Sequence, residues 1–200
     1  MFIKTQGFKK LINEAYKTTR LVVGNDGHGI YMHGGYWGIW IKEGCIPKEE
    51  LGELIKLTGE LPGTGEVFKA TKAGNQYEIE GTRDYHFAEK AAKCEDYMEV
   101  TPLTLKYDTG QQARLLQSAN NNMILLINDR FIDMIDNTVI QYEKGETQAD
   151  GPLIGGYPGV FYRNNQMTLQ IMQRTDEENK KLIAYLENFA IMAQEFDDEH

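Results

Sequence analysis

Short hydrophobic stretches separated by tight-turn sequences run through most of the chain and restrict the folds open to it. Residues 21–24 and 30–32 are such stretches, and Asn25-Asp26-Gly27 between them is a strong hairpin signal. A third stretch, residues 36–41, completes a three-stranded meander. Hairpins without strand–helix alternation predict the α+β class with a largely antiparallel sheet. Further strands are predicted at residues 67–71, 76–80, 100–107, 123–127, 131–135, 139–142, 160–162 and 167–172.

Two amphipathic helices are predicted in the N-terminal half of the chain. Residues 7–18 carry apolar side chains at i, i+3, i+4, i+7 and i+8, which lie on one face of a helix. Residues 47–58 form the second helix, because Pro47 suits the first helical position and Gly59 supplies the left-handed residue at which a helix ends. Each helix therefore presents one apolar face to the sheet.

A C-terminal amphipathic helix is predicted over residues 176–196, where Thr175 and Glu178 have the spacing of a capping box. Residues 197–200 would form a frayed acidic tail. A helix is also predicted at residues 111–119, although this segment contains only two large apolar residues. Two or three helices would thus pack on the sheet.

The organisation of the chain predicts one domain. No linker rich in Pro, Gly or Ser divides the elements, so residues 1–200 are interpreted as a single α+β domain. A chain of 200 residues is long enough to bury a hydrophobic core without disulfides or metals. Residues 141–152, rich in Gly, Glu, Asp and Gln, are predicted to be a flexible loop.

Residue types that usually catalyse reactions or bind metals lack the required spacings. Cys45 and Cys94 form no CxxC motif, which argues against a zinc or redox site. His28 and His33 are five residues apart and would point to opposite faces of a strand. No GxSxG, Walker A or GxGxxG motif is present. We predict no catalytic residues, no metal and no cofactor, hence a non-enzymatic protein; a catalytic site assembled from distant residues is the alternative.

The cellular location of the protein is predicted from the absence of a membrane-helix sequence and of a signal-peptide sequence. No apolar run reaches the ~18–20 residues that a membrane helix needs. The N-terminus also lacks the apolar stretch of a signal peptide. We therefore expect a cytoplasmic protein that does not interact with membranes.

The formal net charge of -9 is unevenly distributed along the chain. The first 20 residues contain five basic residues and one acidic residue, a net charge of +4. Residues 176–200 contain eight acidic and two basic residues, a net charge of -6. A basic segment is compatible with contact to nucleic-acid phosphates, and the alternative is a solvated helix face. The candidate phosphate contacts are Lys9, Lys10, Lys17 and Arg20.

Aromatic residues cluster around the third strand of the meander. Tyr36 and Trp37 lie next to glycines and Trp40 follows in the same strand, and exposed aromatics beside glycines can stack on bases, sugars or a partner's side chains. Alternation along the strand would instead place them in the core. These three residues are the candidate partner surface, with core packing as the alternative.

The N-terminal 80 residues resemble small uncharacterised proteins encoded by phages and prophages of Gram-positive bacteria. The resemblance rests on Phe8-Lys9-Lys10-Leu11, on the meander ending in Tyr36-Trp37-Gly38, and on the segment at residues 59–66. It implies a phage-related accessory protein.

The order of elements is similar to one domain of DNA sliding clamps, the processivity factors. Residues 1–42 are interpreted as a short strand, a helix and three strands, and residues 97–143 as a second such unit. The similarity implies that the basic first helix faces DNA phosphates and that the protein forms a homo-oligomer. The predicted helix 47–58, the hairpin at residues 67–80 and the C-terminal helix have no place in a minimal clamp domain.

Two functions follow from these observations. The first is a non-enzymatic accessory protein, clamp-like in fold, that acts in DNA replication or other DNA transactions by contacting DNA or replication proteins. The second is a protein–protein interaction or scaffold module that homodimerises without binding nucleic acid.

Overall fold

The computed structural model describes residues 1–77, 86–136 and 149–191, in which an antiparallel sheet carries helices on both faces. The elements are, in chain order, α1 Thr5–Lys17, β1 Val22–Asn25, β2 Gly29–His33, β3 Trp37–Lys42, α2 Lys48–Thr58, β4 Val67–Thr71, β5 Gly74–Tyr77, α3 Phe87–Ala92, β6 Asp96–Lys106, β7 Gln112–Ser118, β8 Ile124–Asn128, a 3₁₀ turn Asp129–Phe131, β9 Asp150–Gly155, β10 Tyr157–Arg163, β11 Met167–Ile171 and α4 Lys180–Leu186. The α+β class and the antiparallel sheet are thereby confirmed.

The sheet joins segments that are far apart in the chain. Its eleven strands in the described residues run in the order β5-β4-β1-β2-β3-β11-β10-β9-β6-β7-β8. The predicted meander β1–β2–β3 therefore continues directly into β11, whose residues Met167 and Ile171 pair with Ile41 and Trp37. As a result, the turn before β3 lies beside the segment that leaves β11.

Helices α1 and α2 cover one face of the sheet. The predicted apolar stripe of α1 is confirmed, since Phe8, Leu11 and Ile12 are buried in the main core together with Leu54 of α2. Burial of each such side chain stabilises the fold by roughly 1.5–3 kcal/mol. Helix α2 ends as predicted at Gly59, which adopts a left-handed conformation with φ 77°.

Helix α3 packs on the opposite face of the sheet. Phe87 lies over Gly38, where an added Cβ would come within 2.2 Å of the Phe87 ring. A glycine at this position therefore allows the helix to approach the strand. Phe87 also contacts a small cluster that includes Val22 and Tyr31 on the same face.

The helix predicted at residues 111–119 is wrong, because this segment forms β7. Leu115 packs beneath α4, whereas its neighbour Leu116 packs in the main core. Consecutive residues of a strand point to opposite faces, so a strand buries both leucines. A helix with only two large apolar residues would lack the apolar stripe that packs a helix against a sheet. The second of the two proposed units thus has a strand in place of its helix.

Two further segments differ from the prediction. Residues 131–135 were expected to form a strand, but a 3₁₀ turn ends at Phe131 and only Ile135 makes a bridge, to Ile3. The local hydrogen bond from Arg130 N to Asn128 Oδ1 favours the turn. Residues 150–152 of the predicted loop begin β9, and the predicted residues 78–80, 139–142 and 141–148 lie outside the described residues.

The C-terminal helix starts later and ends earlier than the predicted range 176–196. It begins at Lys180, because Asp176 Oδ1 accepts a hydrogen bond from the backbone N–H of Asn179 and closes a turn there. The capping box is wrong: Asn179 occupies the N-cap and its side chain accepts no cap hydrogen bond. The predicted acidic tail, 197–200, lies outside the described residues.

Two expectations concern the chain as a whole, its number of domains and its membrane helices. The interpretation of residues 1–200 as one domain remains a prediction. Among the helices in the described part of the chain, none is long and apolar enough to cross a membrane.

Candidate functional site

A groove lies at one end of the sheet, where the turn before β3, the segment after β11 and the 3₁₀ turn meet. Its volume is about 430 Å³, within the roughly 300–1,000 Å³ typical of ligand sites. None of the described residues that line it is acidic. We call this depression the basic groove, and it is lined by Tyr36, Gln111, Asn128, Arg130, Phe131, Met172, Gln173, Arg174 and Thr175.

Arg174 is held rigidly on one side of the basic groove. Its backbone N–H donates to Leu126 O at 2.7 Å, which attaches the segment after β11 to the edge of β8. Its guanidinium carbon lies 3.7 Å from the ring centroid of Tyr107, and Nη1 donates to Gln111 Oε1 at 2.9 Å. Among the described residues, Arg174 forms no ion pair. Its guanidinium is therefore oriented, and the nearby carboxylate of Asp176 acts on it through space without a direct ion pair.

Tyr107, beneath Arg174, is a neutral hydrogen-bond donor. Burial and the hydrogen bond to Asp176 raise the pKa of Tyr107 to about 12. Burial alone would raise the pKa of Asp176, but hydrogen bonds from Tyr107 and Asn179 and the nearby positive charge of Arg174 hold that pKa below its usual value. The Asp176 carboxylate is thus ionised, with its acceptor oxygens occupied by these donors.

Arg130 lies between the basic groove and a second depression. Its Nη1 donates to Glu14 Oε2 at 2.7 Å, and both side chains are about two-fifths exposed. The second depression, the N-terminal cleft, has a volume of about 240 Å³ and is lined by three basic and two acidic residues among others. Its charged residues are Lys4, Lys10, Glu14, Arg130 and Asp133. The two depressions form a continuous surface in which basic residues outnumber acidic ones.

The glycine pair before β3 positions Tyr36 on the wall of the basic groove. Gly35 has φ +92°, a conformation that glycine adopts without strain. A Cβ on Gly34 would lie 2.6 Å from Nε1 of Trp37, so only glycine fits there. Tyr36 O accepts a hydrogen bond from Met172 N at 2.9 Å, while 61% of the residue's surface is exposed. The ring is therefore presented to solvent on a fixed backbone.

The four candidate phosphate contacts occupy different surroundings. Lys9 Nζ lies 2.5 Å from Glu49 Oε1 of α2, and this hydrogen bond raises the pKa of Lys9. Lys10 lines the N-terminal cleft, and Lys17 is exposed on the same side of α1. Arg20 lies beside the basic groove, since its Cδ is 3.9 Å from the position that a Cβ would take on Gly35. Their role in phosphate contact remains a prediction.

The three residues of the candidate partner surface are not equally accessible. Trp37 is buried in the main core at 4% exposure, as the core alternative predicts. Trp40 is partly buried, and its Nε1 donates to Asp26 Oδ2 at 2.9 Å. Tyr36 alone of the three is largely exposed. The structure thus places one of these aromatics at the groove and two in packing positions.

Sequence reasoning missed the residues that form most of the basic groove. Arg130, Arg174 and Gln111 follow or precede strands that are separated in the chain, and none belongs to a recognisable motif. The available signal was that Arg130 lies in a turn and Arg174 directly follows a strand, positions where functional side chains often lie. The described residues contain no group of three His, Cys, Asp or Glu side chains that could hold a metal ion.

Comparisons with known proteins identify no family. No protein-family model matches the chain, and no curated protein matches it. A search of solved structures finds similarity to the beta chain of DNA polymerase III from Streptococcus pneumoniae, with 10% sequence identity and a TM-score of 0.33. The alignment covers 88% of this chain and 66% of that chain. The resemblance to phage proteins remains a prediction.

Proposed function

We propose that the protein is a non-enzymatic accessory protein that contacts nucleic-acid phosphates through the basic groove. The observation that carries the proposal is Arg174, whose guanidinium is fixed on Tyr107 without an ion-pairing carboxylate among the described residues. Arg130 supplies a second guanidinium to the same groove. Guanidinium groups bind phosphate oxygens in a bidentate manner, and a local basic surface is sufficient for this contact even when the net charge is negative.

The basic surface extends beyond the groove. Arg20 lies beside Gly35 at one side, and at the other Lys4 and Lys10 line the N-terminal cleft together with Glu14 and Asp133. Together with Arg130 and Arg174, these basic residues give a band that an extended phosphate backbone could follow. A role at DNA also fits the predicted cytoplasmic location.

A clamp-like role in DNA replication is the narrower form of this proposal. It rests on the order of elements in residues 1–42, and it requires an oligomer in which α1 faces DNA. Lys10 and Lys17 would make the phosphate contacts, because Lys9 is already paired with Glu49.

Binding of labelled DNA at several salt concentrations tests the proposal. Fluorescence anisotropy of single-stranded and duplex 20-mers should show affinity that falls steeply between about 50 and 200 mM salt. The double variant Arg130→Gln plus Arg174→Gln should weaken binding and reduce the slope of log K against log[salt] by about 2.

The matched control removes two positive charges elsewhere. Lys42 is exposed at the far end of β3, and the Lys56 side chain is 73% exposed on α2. Lys42→Gln plus Lys56→Gln should leave the affinity and its salt dependence close to the wild-type values. Absence of salt-dependent binding by the wild-type protein, or equal losses in both double variants, would contradict the proposal.

An exposed apolar face formed by α4 and the residues that follow it favours a second candidate function, a homodimerising interaction module. Leu182, Tyr185 and Phe189 are 43%, 61% and 49% exposed, while Ile183 and Leu186 pack against the sheet. Exposed apolar patches of this kind often mark interfaces. Light scattering should then find a dimer that Tyr185→Glu converts to a monomer, and a monomeric wild-type protein at all concentrations would exclude this candidate.

A further inference from the structure

We infer that the basic groove binds single-stranded nucleic acid, with a base stacked on Tyr36 and phosphates held by Arg130 and Arg174; this inference rests on the proposed function. It concerns which form of nucleic acid the site takes. A basic surface alone would bind either form, so the distinction depends on the aromatic and amide side chains of the groove.

The exposed ring of Tyr36 is the first observation. No other aromatic ring of the described residues is in contact with it, whereas Tyr77, Tyr157 and Tyr185 each pack against a phenylalanine. Its backbone is fixed by Gly35 and by the hydrogen bond from Met172, so little conformational entropy would be lost when a base stacks on it. Stacking on an aromatic ring is a sequence-tolerant way to hold an unpaired base.

The second observation is the composition of the rest of the groove. Gln173 and Thr175 are exposed there, and both offer donors and acceptors to the edge of a base. Phe131 and Met172 add apolar surface. In a duplex, bases are stacked and their Watson–Crick edges are paired. The ring of Tyr36 could therefore stack only on an unstacked base, and Gln173 and Thr175 could reach a Watson–Crick edge only of an unpaired base.

The third observation is that both guanidinium groups share this groove with the ring. Arg174 is oriented by Tyr107 and Gln111, and Arg130 is oriented by Glu14. Positive charge beside an exposed aromatic ring is the arrangement by which proteins hold single strands without reading their sequence. The volume of about 430 Å³ suits a small ligand portion such as a nucleotide.

Three labelled 20-mers test this inference by fluorescence anisotropy at one salt concentration: oligo-dT, an abasic strand with the same number of phosphates, and a duplex. We expect the wild-type protein to bind oligo-dT more tightly than the abasic strand by about 5- to 150-fold, which is the range for loss of one base–aromatic stack. Tyr36→Ala should bind oligo-dT about as weakly as the abasic strand, and Tyr36→Phe should retain wild-type affinity.

Tyr97→Ala provides the control, because Tyr97 is 49% exposed but lies on β6 and does not line the basic groove. It should leave oligo-dT binding unchanged. Circular dichroism and thermal unfolding verify that Tyr36→Ala folds, which its exposure makes the expected result.

The outcomes separate the inference from the proposed function. Equal affinity for oligo-dT and the abasic strand, or tighter binding of the duplex, would overturn the inference while leaving phosphate binding by Arg130 and Arg174 intact. Unchanged oligo-dT affinity of Tyr36→Ala would overturn it as well. Absence of binding to all three molecules would overturn both.

Discussion

The basic groove and the contact between α1 and α2 both contain ion-paired basic residues, Arg130 with Glu14 and Lys9 with Glu49, but the groove also contains Arg174. On the α1–α2 side, Lys9 pairs with Glu49, and Asn13 donates to Glu53 at 2.8 Å. In the groove, Arg174 stacks on a neutral phenol, with no ion pair among the described residues. A positive charge is the stronger candidate for a binding group where packing leaves it without a direct ion pair to a carboxylate.

The largest expected effect concerns His33, which lies two residues before Gly35 at the groove end. Burial lowers the pKa of His33 to about 4, against about 6.5 in an unfolded chain. The unfolded state therefore takes up a proton first as the pH falls, and stability is lost between pH 6.5 and 4. The loss attributable to this residue is about 3 kcal/mol, measured by urea unfolding across this range.

The variant His33→Gln should lack that part of the pH dependence. His28→Gln, at an exposed turn position, serves as the control for replacing a histidine by glutamine. Identical pH profiles for His33→Gln and the wild type would contradict the prediction.

Adding a bulky side chain to the turn that carries Tyr36 should cause the next largest loss of stability. Gly34→Val places a side chain 2.6 Å from the buried indole of Trp37, which should destabilise the fold by about 1–3 kcal/mol and displace Tyr36 from the groove. Gly52→Val in α2 enters open space and serves as the control. Thermal unfolding and DNA binding measure the two consequences, and a Gly34→Val protein with normal stability would contradict the packing argument.

Charge reversal tests the comparison directly. Arg174→Glu should reduce DNA affinity by about tenfold, since it replaces a phosphate contact with a repelling carboxylate. Lys9→Glu should have little effect on affinity, because Lys9 is paired with Glu49. Anisotropy titrations of both variants at low salt provide the measurement. Equal losses of DNA affinity would show that the basic groove and the α1–α2 contact contribute equally to binding.

The smallest effect is expected for loss of the α1–α2 ion pair itself. Glu49→Gln should change thermal stability only slightly, because exposed ion pairs contribute little. It also frees the ammonium group of Lys9. A measurable gain in DNA affinity for Glu49→Gln would show that the DNA-binding surface includes this side of α1. Unchanged affinity would show that the surface is restricted to the basic groove and the N-terminal cleft.

Local patterns predicted the elements whose burial depends on one face. The stripe of α1 and the end of α2 at Gly59 follow from periodicity of 3.6 and from a single left-handed glycine, and both are confirmed. The helix predicted at residues 111–119 is wrong because two adjacent leucines are buried on opposite faces of β7. They pack in two different hydrophobic clusters, which form only when the chain folds. Periodicity within a short segment carries no information about such partners.

By itself, the sequence determined the antiparallel α+β class, the hairpins and the first two helices, because these depend on contacts between residues close in the chain. The tertiary structure decided where β11 lies, and its position between β3 and β10 brings Tyr36 next to Met172 and Arg174. It also decided which basic residues are neutralised. Pairing of distant strands and of charges across helices depends on long-range packing, which no local pattern in the chain records.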